Sequence, residues 1–458
     1  MSNRTTLLLV GAMILAAAPL AAQSAVEPDQ VPVSAGLVED ATEPTESTST
    51  APQIVIQHMR PADQRGLNVF EPPKHDGVPY TGFRLDWGAG FTQQFQAIEH
   101  SNTADEVLND AGTNTNQLMD LGWGFNNATA NLALNAQVAP GIRVALTAYL
   151  SSRHHSEAWV KDGYILIDES PIDAPILNSL MDVLTLKVGH FEIDYGDAHY
   201  RRTDNGNAMH NPFVGNLIMD AFTTQVGAHA YARIRGLIAM AGVTGGEIKG
   251  EVRMPDRRGP AFMGKLGYDR QFSDDLRIRL MGSVFTQDRA LSNTLYSGDR
   301  AGSRYYFVME NTGATVGGQA WSGNVNPGFS NEVTAFMVNP FVEVGGLELF
   351  GTAEFSSGSQ FEEEGDRSWT QYAGDLVYRM FDDRVYAAGR YNTASGELRN
   401  VANEVSVDRI QLGAGWFVTP NILFKGEWVT QQYNDFPTAD IRNGGEFDGF
   451  VLEGVVAF

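Results

Sequence analysis

The chain has 458 residues, a formal net charge of −23, no cysteine, 48 glycines and 25 phenylalanines. The missing thiol excludes disulfides, cysteine-bound metals and thiol catalysis, and the acidity excludes nucleic acid as a partner, because such a surface repels a polyanion. A mean hydropathy of −0.21 is too polar for a helical membrane protein, whereas many turns and aromatics suit strands that keep one face in water.

Arg4 gives a positive start, residues 7–20 form the only long apolar run, and Ala22-Gln23-Ser24 offers small residues for cleavage, so residues 1–24 read as a signal peptide. The run is shorter than the ~20 residues a spanning helix needs. Residues 25–79 are acidic and rich in Pro, Ser and Thr, with alternation only at 53–59, and read as a periplasmic linker. Within it, Leu67-Asn68-Val69-Phe70-Glu71-Pro72-Pro73-Lys74 is either a stiff lead-in to the first strand or a segment docked on or in the domain made by residues 80–458.

Residues 80–458 change to alternating segments of about ten residues, the length of a tilted transmembrane strand. In 127–138, Ala128, Ala130, Leu132, Leu134, Ala136 and Val138 share one face and Asn127, Thr129, Asn131, Asn135 and Gln137 the other. The same pattern marks 142–150, 184–188, 226–234, 262–268, 276–284, 347–355, 372–380, 385–391, 410–418 and 422–428. None shows the three-to-four spacing of a helix.

Tight turns fall at 139–141, 272–275, 345–346, 381–383 and 419–421, and connections near 168–182 and Gly236 bring the count to about seven. With both chain ends on the same side, that implies about sixteen antiparallel strands in a transmembrane β-barrel with long outer loops. Tyr305-Tyr306-Phe307-Val308-Met309 is expected to be a strand of a loop hairpin; counted in the wall it would give seventeen. Side chains fill an eight-stranded barrel but leave an aqueous channel at sixteen.

With the apolar faces in lipid, Arg84, Arg143, Lys187, Arg233, Arg235, Lys265, Arg277, Arg279, Arg379, Arg390, Arg409 and Lys425 point inward, against Asp86, Asp269, Glu348, Glu354, Asp375, Glu427 and Glu453. This surplus favours anions in the pore, unless the arginines are spent on pairs within the wall. The loop 197–222 contains His199, Tyr200, Arg201 and Arg202 and then an apolar stretch, 213–219, unsuited to water. Folded inward, it would narrow the channel and set both arginines by the solute; the other reading is an exterior loop. Arg253, Arg257 and Arg258 form a second basic loop at the mouth.

Signs of catalysis are weak. His154-His155 cannot share one site on a strand, since adjacent residues point to opposite faces, and the acidic run 362–366 reads as a solvated loop more than a calcium site. No phosphate-binding, dinucleotide or zinc motif occurs, so no cofactor, metal or catalytic residue is expected, and the chain is not read as an enzyme. The last segment alternates again, with Phe450, Leu452, Val456 and the terminal Phe458 on one face and Glu453 on the other.

A terminal aromatic on an alternating strand resembles the C-terminal signal of Gram-negative outer-membrane barrels. Leu184-Thr185-Leu186-Lys187-Val188-Gly189-His190-Phe191 and Leu423-Phe424-Lys425-Gly426-Glu427-Trp428-Val429 resemble strands of the porin superfamily, in particular porins of the phosphate-selective type. The resemblance implies a sixteen-stranded, often trimeric channel in the outer membrane, with loops folded inward. Its partners would be membrane lipid and lipopolysaccharide, the barrel-assembly machinery through Phe458, and small hydrophilic solutes. The functional expectation is a passive diffusion channel leaning toward anions, with Arg201, Arg202, His199, Tyr200, Arg233, Arg235, Arg277, Arg279, Lys187, Arg409 and Lys425 along its path. Alternatives are a substrate-selective channel and a closed barrel with a structural or adhesive role.

Overall fold

The computed structural model describes residues 60–71, 74, 80–150, 158–249, 252–297, 305–316 and 322–458. The expected signal peptide, the alternating 53–59 and His154-His155 lie outside these residues. The chain forms β1 (Arg84–Ser101), β2 (Gly124–Phe125), β3 (Thr129–Ala139), β4 (Ile142–Leu150), β5 (Ala158–Ile167), α1 (Pro175–Met181), β6 (Leu184–Glu192), β7 (Thr224–Ile234), β8 (Leu237–Thr244), β9 (Ala261–Ser273) and β10 (Leu276–Gln287). It continues through β11 (Glu332–Val344), β12 (Leu347–Ser359), β13 (Arg367–Met380), β14 (Val385–Glu397), β15 (Glu404–Thr419), β16 (Ile422–Asn434) and β17 (Glu446–Ala457).

Each wall strand pairs antiparallel with its neighbours, and β1 closes the circle by pairing with β17 from Gly90 opposite Ala457 to Ser101 opposite Glu446. β2 spans two residues and only patches the edge of β1 beside Phe95, so the wall has sixteen strands. The tight turns lie where the sequence puts them; the connection after β5 is longer and folds into α1, started by Pro175 in the first turn. Tyr305-Tyr306-Phe307-Val308-Met309 is not a strand. It makes an isolated bridge from Tyr305 to Ser322 and then turns, with Phe307 and Met309 at positive φ and Tyr305, Tyr306, Val308 and Met309 buried.

The two faces of the wall differ as the alternation demands. On β17, Phe450, Leu452 and Val456 are exposed while Val451, Glu453 and Val455 are buried inside. Leu85, Trp87, Phe336, Phe355, Tyr378, Leu412, Trp416 and Phe424 continue the outward apolar surface, which only a lipid phase covers at this extent. The barrel therefore spans a membrane. At its seam Phe458 donates its N–H to the Ala89 carbonyl (3.0 Å) and accepts from the Ala89 N–H (2.9 Å), with its ring edge-on to Trp87.

Candidate functional site in the barrel lumen

The lumen holds the loop 193–223 between β6 and β7. Its apolar stretch Phe213, Val214, Ile218 and Met219 is fully buried, as expected of residues that would be costly in water. The loop tip reaches the wall at β1 and β3: Asn205 donates to the Ala130 carbonyl (2.6 Å), Thr92 donates to the Gly206 carbonyl (2.9 Å), and Asn131 donates to the Asp204 carbonyl (2.9 Å). Gly206 permits this approach, since a Cβ there would stand 2.5 Å from both Ala130 Cα and the Gly90 oxygen. The return leg is held by wall side chains. Glu427 accepts from the Val214 and Gly215 N–H groups, Asn392 from Ile218, and Gln371 from Met219.

The lead-in 60–71 also enters the lumen. Gln64 donates its N–H to the Pro420 carbonyl (2.9 Å), Phe70 packs edge-on against Tyr200 and Phe341, and Glu71 meets Lys265 at 2.9 Å and Arg279 at 2.7 Å. Burial works against the Glu71 charge, but Lys265 and Arg279 outweigh it and hold the carboxyl well below the usual carboxylate range. Of the two readings of 67–74, docking in the barrel is the one the structure shows for its described residues.

These insertions decide the fate of the wall arginines. Arg279 is taken by Asp197 (2.7 Å) as well as Glu71, and Arg277 by Asp269 (2.7 Å). Arg409 donates to the Asn216 and Gly323 carbonyls, and Lys425 to those of Ala208, Asn211 and Phe213 and to Glu453. Arg201 is buried on Glu348 (3.0 Å), and Arg202 grips Asp220 through two bonds of 2.9 and 2.6 Å. Acids of the wall itself balance much of the basic set, Asp269 on Arg277, Glu348 on Arg379, Asp375 on Arg390 and Glu453 on Lys425, while the loop and the lead-in supply Asp194, Asp197 and Glu71 to Lys265 and Arg279. Arg235 is a correction: it sits exposed in the β7–β8 turn at φ 51 rather than on the lumen wall, because the strand ends one residue earlier and the turn needs a left-handed residue there. At the mouth Arg258 pairs with Glu247, Arg257 lies over the Phe361 ring, and Glu363 of the acidic run pairs with Arg367.

A cavity of about 270 Å³ remains between the loop and the wall of β1 and β3–β7. Its lining includes Lys187, His199, Tyr200, Arg202 and Arg233 from the sequence-predicted set, but not Arg201, Arg235, Arg277, Arg279, Arg409 or Lys425. It adds Arg60, Lys161, Asp162, Glu192, Asp194, Asp204 and His210, which the sequence pattern did not single out. Lys161 is held by Glu192 (2.8 Å) and Asp204, and Asp204 also accepts from Tyr149. His199 sits between Glu192 (2.6 Å) and Asp194 (3.0 Å); burial opposes its charge, but both carboxylates outweigh it and raise its pKa above the ordinary histidine value. His210 is driven the opposite way, first by burial and then by Arg60. No metal-holding group of His, Asp and Glu occurs among the described residues.

A closed sixteen-stranded barrel with a long loop laid into its lumen defines the porin class of fold. No family model matches the chain, and no curated protein matches it in sequence. Among solved structures it is similar to an anion-selective porin from Comamonas acidovorans, at 12% identity and a TM-score of 0.51 over 82% of this chain and 99% of that one. It is also similar to the trimer form of OmpT, an outer membrane protein of Vibrio cholerae, at 11% identity and a TM-score of 0.50 over 82% and 100%. At such identities the likeness is one of fold.

Proposed function

We propose that the chain is an outer-membrane channel that passes small hydrophilic solutes through the cavity beside β1 and β3–β7. The observation that carries this is the survival of a polar cavity, about 270 Å³ and rimmed by charges, in a lumen otherwise packed by 193–223 and the lead-in. A solid anchor would gain stability by filling it. The geometry favours a narrow, selective path over a wide one. Lys187 and Arg233 on the lining support a lean toward anionic groups, while Arg202, Arg277, Arg279, Arg409 and Lys425, engaged by other groups, do not contribute to it. Phosphate selectivity gains no support from a wall whose arginines are matched by carboxylates and carbonyls.

The outward belt and closed wall fit the outer membrane of a Gram-negative cell, with lipopolysaccharide at the loop side and Phe458 offered to the assembly machinery. A homotrimer fits the wall of β3–β8, whose exposed large apolar residues, among them Leu146, Ile165, Val226 and Leu237, include no aromatic; rings that anchor a wall at the lipid interface are superfluous where another subunit covers it. In planar bilayers the folded protein should give small ohmic steps in groups of three equal increments, and shortening the loop tip at 204–207 should enlarge each step. Silence from heat-modifiable, correctly folded protein would remove the channel reading.

A further inference from the structure

Two charged side chains of this cavity are left without partners. Asp162 is 8% exposed, its Oδ1 is buried without a hydrogen bond, and it makes no ion pair among the described residues. Lys187 likewise makes no hydrogen bond or ion pair among them; its ammonium lies 4.3 Å from the Tyr164 ring centroid and 4.8 Å from that of Phe191. Both line the cavity, and they do not bridge each other. Elsewhere in this lumen the buried charges described above are met by an opposite charge or, as for Arg409 and Glu427, by several hydrogen bonds, because an uncompensated one is expensive. The exception is local and it has both signs.

The backbone is shaped to make it so. β4 and β5 pair Thr147 with Asp162 but Ala148 with Val160, so Lys161 is an extra residue, a bulge. A bulge re-aims side chains, and here Lys161 and Asp162, neighbours in sequence, both reach the lumen. Lys161 is consumed by Glu192 and Asp204. Asp162 is left facing the open space. Without the bulge strict alternation would turn one of the two toward lipid.

We propose that the cavity binds small zwitterionic solutes of the amino-acid class, the anionic group on Lys187 and the cationic group on Asp162, with the Tyr164 face beside the cation that Lys187 presents. This rests on the channel reading above and adds the class of solute. A plain anion would satisfy Lys187 and be repelled by Asp162; a plain cation would meet the converse. Only a solute with both charges pairs both residues at once, and its neutral total lets it enter without a counterion.

The test uses the purified full chain, with calorimetric titration in detergent and swelling of proteoliposomes by glycine, β-alanine, γ-aminobutyrate and 5-aminovalerate against neutral polyols of matched size. One member of the series should bind and should enter faster than its polyol. Asp162→Asn should weaken that binding about tenfold and turn the reversal potential toward anions, while Lys187→Met should weaken it similarly and turn the potential toward cations. Both variants keep side-chain volume, and the wild-type preference is a readout that needs neither to fold. Current with no zwitterion binding and no advantage over polyols overturns the site and leaves the channel. Binding that both variants weaken, in protein that carries no current, upholds the site and removes the channel. An Asp162→Asn variant that binds as wild type while Lys187→Met does not overturns the zwitterion in favour of a simple anion site.

Discussion

The sector of β9–β17 and the sector of β3–β7 are built from the same alternating strands, yet their lumens have opposite characters. Behind β9–β17, Arg279, Arg390, Arg409 and Lys425 are buried and engaged by Asp197, Asp375, loop carbonyls and Glu453, and an apolar cluster of Val214, Ile218, Phe285, Val333, Val407 and Val451 fills the space between. Behind β3–β7 the loop touches the wall at His199 on Glu192 and again at its tip, and between these contacts Lys187 and Asp162 stay unpaired around a cavity. The outer faces differ too: Phe262, Phe336, Tyr372, Tyr391, Trp416 and Phe450 stud the first sector, and no exposed aromatic occurs on β3–β8. Charge in the wall of such a barrel is thus mainly a fastening for whatever lies inside, and it becomes a site only where the fastening is withheld.

The largest effect expected from breaking this contrast is at Arg279. Arg279→Met would leave the buried Glu71 and Asp197 to share Lys265 with Asp194, a loss of about 3–5 kcal/mol by the usual cost of breaking a buried charge pair. It should appear as a lower unfolding temperature and protease cleavage within the lead-in. Lys187→Met in the other sector should leave the unfolding temperature nearly unchanged, because no ion pair is lost. Equal destabilisation by both would abolish the distinction between fastening and site. Next in size is deletion of Phe458, which removes two backbone bonds to Ala89 and the ring on Trp87; folded yield should drop several-fold, and normal yield would show that β1–β17 pairing alone closes the wall.

Much of the wall was legible because strand alternation is written residue by residue, and the turns set the strand number. β8 and β11 were harder to see, since Ile238, Met240, Val333, Met337 and Phe341 point inward against the lumen core, so both faces are apolar and the contrast fades. β5 is blurred by its bulge at Lys161. The site was legible only as charge of one sign. Inward cations and their wall partners Asp269, Glu348, Asp375 and Glu453 follow from register, but Glu71, Asp194 and Asp197, which meet Lys265 and Arg279, and Asp220, which meets Arg202, sit in a lead-in and a loop where no period applies. Arg235 failed because a one-residue difference in strand end moves a side chain from lumen to rim. Asp162 is an acid between Lys161 and Gly163 in an otherwise apolar run, and that local breach of pattern was the available signal.

A smaller effect, and one that depends on pH, is expected at His199. Its pKa is raised in the fold above the ordinary 6.5, so the stability it lends is complete below about 6.5 and is lost as pH rises through the raised value. The facing groups are Glu192 and Asp194, with Lys161 and Lys265 behind them and Tyr200 stacked alongside. Above that value two carboxylates share a neutral ring, and the start of the loop should loosen. Current noise in bilayers should grow with pH above neutrality in the wild type. His199→Gln should be noisy throughout and flat with pH; a pH step that persists in it would assign the change to another group.

The smallest effect is expected at Arg235, and it tests the lumen boundary directly against Arg233 two residues earlier. Arg233 lines the cavity and Arg235 is exposed in the β7–β8 turn. A charge on the rim is screened within about 8 Å at physiological salt, whereas a charge inside the lumen acts across low-dielectric walls with little water between it and a passing ion. Arg233→Glu should therefore turn the reversal potential toward cations, and Arg235→Glu should leave it unchanged at physiological salt, with stability altered by no more than about 0.5 kcal/mol. Lowering the salt lengthens the screening distance to about 30 Å at 0.01 M, so a small shift should then emerge for Arg235→Glu as well. Equal shifts for the two variants at physiological salt would mean that ions pass close to the β7–β8 turn, and the path would have to be redrawn to leave the barrel along that rim.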